Sequence, residues 1–72
     1  MDANVKLKFK EILEGKIKYT SQNLAVNIMV TRLQKKMKED PNCFDACVQE
    51  VDAFAAKYPN VIKADFANIM AL

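Results

Sequence analysis

Apolar residues recur along this chain at intervals of three and four, the period of a helix face, in four successive blocks. In the first block Val5, Phe9, Ile12 and Leu13 follow the i, i+4, i+7, i+8 spacing. Asp2 stands where an N-cap belongs and Gly15 where a left-handed residue ends a helix, so a helix is predicted over about 3–14. The rival reading is an N-terminal β-hairpin. Val5, Leu7 and Phe9 alternate with Lys6, Lys8 and Lys10, and "KIKYT" after Glu14-Gly15 would be the return strand. Ile12-Leu13 breaks that alternation, which favours the helix.

A second helix is predicted over about 21–39, capped by Thr20 or Ser21 and stopped at Asp40-Pro41. A third is predicted over about 41–58, with Asp40 as its cap and Pro41 in its first turn. Phe44, Cys47, Val48, Val51, Phe54, Ala55 and Tyr58 fall at offsets of 0, 3, 4, 7, 10, 11 and 14, a core-facing seam. Pro59 ends that helix and Asn60 caps a fourth, about 60–71, striped by Ile62, Phe66, Ile69 and Met70. Short connections make these elements antiparallel neighbours. The fold class is therefore all-α, a compact bundle of three to four short helices in a single domain over 1–72. One glycine and two prolines fit that reading, since hairpins and tight turns ask for more.

The second block departs from the pattern of an ordinary surface helix. Val26, Met29, Val30, Leu33 and Met37 make one stripe, but Leu24, Ala25 and Ile28 widen the apolar arc well past the ~100° such a helix needs. Either this helix is central to the bundle or part of its arc meets another molecule. The expected interface is Leu24, Ala25, Ile28 and Met29, with a second copy or another protein as the partner. A chain of 72 residues gives this weight, because a core of that size supplies only ~3–5 kcal/mol and self-association is a common supplement. "FANIMAL" adds a further apolar run.

Charge adds a second possibility. Through Lys38 the chain carries nine Lys/Arg against three acids; beyond it, six acids face two lysines. Arg32, Lys35, Lys36 and Lys38 form the densest basic cluster and are the candidate nucleic-acid contacts. Two plainer explanations compete: cations near a helix C-terminus offset the macrodipole, and the oppositely charged halves face each other within the bundle or between subunits. "SQNLAVNIMVTRLQKK" lacks the glycine turn of a helix-turn-helix, and only Phe9 and Tyr19 accompany the lysines as stacking aromatics.

Catalytic chemistry has little to work with. Histidine is absent and glycine occurs once, which removes Cys/His and Ser/His/Asp sets and phosphate-binding loops. Glu50 is the best acid near the third helix's seam and is expected to be solvated. Cys43 and Cys47 lie four apart. Cys47 falls on the apolar seam and reads as packing. Cys43 lies at the seam's edge near a helix N-terminus, which makes it the candidate reactive thiol, with Asp45 opposing. Regular helix spacing disfavours a disulfide between them, and two thiols without histidine are too few ligands for structural zinc. No cofactor, metal, small-molecule substrate or membrane contact is expected. No run resembles a secretory leader or a membrane span, so the expected setting is cytoplasmic. The functional expectation is a non-enzymatic helical protein-interaction module that forms a homodimer through the second helix. The alternative is a small nucleic-acid-binding accessory protein using the lysine-rich half.

Overall fold

The computed structural model describes residues 1–72 and contains four helices and no strand: α1 (Ala3–Leu13), α2 (Leu24–Glu39), α3 (Phe44–Lys57) and α4 (Pro59–Met70). The all-α bundle is thus confirmed and the hairpin is not formed. Its failure has a simple cause. A strand would place Val5, Leu7 and Phe9 on one face, whereas α1 buries Val5, Phe9, Ile12 and Leu13 and leaves Leu7 65 % exposed. Asp2 caps α1 as expected, its Oδ1 accepting from the Asn4 N–H at 2.8 Å and the Val5 N–H at 3.4 Å. Gly15 takes φ +78°, a left-handed conformation that carries little penalty only without a Cβ.

The other helix starts differ from those expected, later in α2 and α3 and one residue earlier in α4, where Tyr58 and not Asn60 precedes the first turn. α2 begins at Leu24, because Asn23 rather than Thr20 or Ser21 is its N-cap, its Oδ1 accepting from the Val26 N–H at 3.2 Å. Ser21 instead clasps the first turn of α2. Its N–H donates to Asn27 Oδ1 and its C=O accepts from Asn27 Nδ2, both at 2.6 Å. α3 begins at Phe44 with Cys43 as N-cap, since Asp40 caps a tight turn and not a helix: Oδ1 accepts from the Asn42 N–H at 3.0 Å and the Asp40 C=O from the Cys43 N–H at 3.1 Å. Pro59 starts α4 rather than merely ending α3, as its fixed φ and missing N–H suit the first helical position. Tyr58 is the junction residue between α3 and α4.

One core cluster draws on all four helices, with Ile12, Leu33 and Cys47 fully shielded from solvent. α1 packs against α2 and α4, and α4 against α3. α1 and α4 thus each have two principal neighbours and α2 only one, which leaves α2 with a face turned outward. Gln34 on α2 donates to the Ile12 C=O at 3.1 Å, a second bond to a carbonyl at the end of α1 that also accepts from the Gly15 N–H at 3.1 Å. The segment between α1 and α2 is long for a helical connection and is held at several points. The Glu11 C=O accepts from the Lys16 N–H at 2.9 Å, Ile17 and Tyr19 pack on the core, and the Tyr19 hydroxyl donates to Asp65 on α4. No helix is long and apolar enough to cross a membrane.

Candidate functional site

The outward face of α2 carries two of the three most exposed large apolar side chains of the fold, the third being Leu7 on α1. Leu24 is 73 % exposed and Ile28 60 %, one helical turn apart, with exposed Ala25 beside them. Thr31 and Lys35 continue the same line with alternating steps of four and three, the spacing of a helix-pairing seam. A shallow groove runs along Asn27, Ile28, Thr31, Arg32 and Lys35. Met29 does not belong to this face. It is only 7 % exposed and joins the core, because the side of α2 that meets α1 carries Val26, Met29, Val30, Leu33 and Met37.

The basic cluster at the end of α2 is divided. Arg32 and Lys36 converge on Glu50 of α3: Arg32 Nη2 lies 2.8 Å from Oε2, Arg32 Nη1 donates to Oε1 at 3.2 Å, and Lys36 Nζ lies 3.5 Å from Oε1. Glu50 is accordingly a bridging acid and not the solvated one expected. The Arg32 hydrogen bond holds its carboxyl below the usual carboxylate range; burial opposes this, and the charges of Arg32 and Lys36 reinforce it. Lys35 and Lys38 are exposed and form no ion pair. A group with a lowered folded-state pKa stabilises the fold above its ordinary pKa and loses that contribution as pH falls. Glu50→Gln is therefore expected to cost no more than about 1 kcal/mol at neutral pH, as the ion pairs are partly exposed. The cost should shrink in high salt and in acid. Urea denaturation at two ionic strengths checks this, and a salt-independent loss contradicts it.

The two thiols are close. Cys43 Sγ and Cys47 Sγ lie 3.7 Å apart, with Cys43 half-buried and Cys47 fully buried, and both are free. Burial, with the neighbouring Cys43 next in weight, pushes the Cys47 thiol up to about 11. No group of three or more His, Cys, Asp or Glu side chains converges in a way that suits a metal ion. Cys47 is the packing residue the seam predicts, and Cys43 the accessible one.

One feature of the site region escaped the sequence reading. Asp65, 4 % exposed, occupies the buried face of α4 between Ile62 and Ile69, where it accepts a hydrogen bond from Tyr19. Its signal was an acid at the i+3 position of the i, i+3, i+7 stripe Ile62, Asp65, Ile69, which demands a buried donor. Beside it a polar hollow is lined by Ser21, Gln22, Asn23 and Asn68. Within the core, the space enclosed by Phe9, Tyr19, Val30, Ile62 and Phe66 measures only about 10 Å³, at most about one water and no ligand. Compared with models of known families, with curated proteins and with solved structures, the chain matches none.

Proposed function

We propose that the chain is a non-enzymatic helical interaction module that self-associates through the outer face of α2. The observation that carries this reading is the pair Leu24 and Ile28, exposed one turn apart on a helix whose other side is committed to the core. Scattered exposed leucines are ordinary on a surface, but adjacent ones in a pairing register favour a second helix as their partner. α2 has 16 residues and so spans roughly 24 Å. One such face buries less than the ~1,000 Å² of a stable interface, so the association is weak and concentration-dependent. Two free thiols suit a cytoplasmic setting for such a module. A nucleic-acid-binding role through Arg32, Lys35, Lys36 and Lys38 has less support, because Arg32 and Lys36 are already engaged by Glu50.

Sedimentation over a range of concentrations tests the proposal. The wild-type chain should move from monomer to dimer, whereas Leu24→Asp and Ile28→Asp should hold it monomeric with an unchanged helical circular-dichroism spectrum. Both positions lie outside the core, so each substitution should change folding stability by only about 0.5 kcal/mol. A wild-type chain that stays monomeric at the highest concentration, or variants that still dimerise, would overturn it.

A further inference from the structure

We infer that Cys43 and Cys47 form a thiol–disulfide exchange site, at which a small-molecule disulfide oxidises the pair to an intramolecular disulfide within the folded chain. Helical spacing alone argues against such a bond, because both residues of an i, i+4 pair on a regular helix are held too far apart. The structure places one of the two at the very end of the helix, although the Cys43 C=O still accepts the first helical hydrogen bond, from the Cys47 N–H at 3.0 Å. Cys43 precedes α3 as its N-cap, at φ −91° and ψ 14°, and makes no side-chain cap hydrogen bond. Its thiol is thus free of any local helical duty. The turn behind it, Asp40 to Asn42, is exposed and able to adjust. The sulfurs already lie 3.7 Å apart, and closure to the ~2.05 Å of a disulfide draws the cap toward Cys47 at the expense of that first helical bond.

The two thiols differ in a way that assigns their order. Cys43 is half-buried at the N-terminal end of α3 and is the thiol of the pair that a small disulfide reaches from solvent. Cys47 is sealed in the core, and burial disfavours its ionised form. Lys36 and Glu50 act on it with opposite signs. Cys43 therefore attacks first. Its thiolate bonds to one sulfur of the small disulfide, whose S–S bond breaks and whose other half departs as a thiolate that takes up a proton. Cys47 then gives up its proton, and its sulfur attacks the Cys43 sulfur of the mixed disulfide and expels the second small thiol. Two protein thiols are oxidised and one small disulfide is reduced to two thiols, so atoms and electrons balance. The site does not depend on α2 pairing, and its test is independent of the oligomeric state.

Incubation of the reduced protein with oxidised glutathione, followed by intact mass measurement, tests the inference. The wild-type chain should end two hydrogens lighter, carry no adduct and resist alkylation at both cysteines. It should keep its helical spectrum and recover both thiols with dithiothreitol. Cys47→Ala should stop at a single glutathione adduct on Cys43. Cys43→Ala should react about tenfold more slowly, because a buried thiol of raised pKa offers little thiolate. If the Cys47 variant does not fold, the wild-type masses decide alone. A wild-type adduct that persists, a disulfide between two chains, or closure only with loss of helicity would overturn the inference.

Discussion

Leu33→Ala should leave most of the chain unfolded in water at room temperature. Leu33 lies at the middle of α2 and is 0 % exposed, within the cluster that joins all four helices. Truncating such a side chain removes its transfer free energy and leaves a cavity, together about 2–5 kcal/mol. A 72-residue chain commands only ~3–5 kcal/mol from its core, so the loss is comparable with the whole. Leu33→Met, which keeps the volume, should cost less than about 1.5 kcal/mol and retain a cooperative transition. The internal control is Leu24→Ala. It makes the same chemical change nine positions earlier on the same helix, yet Leu24 faces solvent and the stability should move by only about 0.5 kcal/mol. Urea titration followed by helical circular dichroism separates the three. A Leu33→Ala chain with an unshifted midpoint would mean that the core does not close around this residue.

That contrast between two leucines of α2 also shows where sequence stops being informative. The 3.6-residue period reveals that α2 has apolar residues over a wide arc, but not which part of the arc meets a neighbour. That choice depends on where α1 lies, a tertiary fact. Met29, expected on the interface with Leu24 and Ile28, consequently turned out to face the core, while Leu24, Ala25 and Ile28 stayed outside. Helix starts show the same limit at shorter range. Asp2 stands alone before α1 and its capping role is unambiguous, whereas Ser21, Asn23 and Asn27 compete for the first turn of α2. The sequence pointed to Thr20 or Ser21 as the cap; the geometry of the incoming chain selects Asn23 instead and pairs Ser21 with Asn27. Asp40 was read as a helix cap and instead caps a turn, for these two uses of an aspartate carboxylate look alike in sequence. Glu50 was invisible as a bridge because Arg32 and Lys36 lie on another helix, and lateral pairing has no sequence period.

Tyr19→Phe should destabilise the fold far more than the loss of one oxygen suggests. The Tyr19 hydroxyl donates to Asp65, whose side chain is buried on the core face of α4, and this bond ties the long α1–α2 segment to the far helix. Without the hydroxyl, a buried carboxylate loses its donor. Leaving such a group unsatisfied costs about 1–3 kcal/mol, more than a hydrogen bond's net contribution. The double variant Tyr19→Phe/Asp65→Leu should recover much of that loss, since replacing both partners by apolar groups removes the unmet demand. A double-mutant cycle by urea denaturation at neutral pH measures the coupling. The same bond predicts an alkaline signature. Burial, then the hydrogen bond to Asp65 and its charge, push the Tyr19 hydroxyl from its ordinary 10.0 up to about 12. The folded chain thus holds this proton more tightly than the unfolded chain, and its contribution is complete below pH 10 and is lost as pH rises from 10 to 12. Cys47, raised to about 11, adds a decline that begins near its ordinary 9.0. Tyr19→Phe should therefore start less stable at neutral pH and lose less above pH 10 than the wild type, so the two stability curves converge there. Parallel curves across that range would show that the Tyr19–Asp65 bond does not hold the segment in solution.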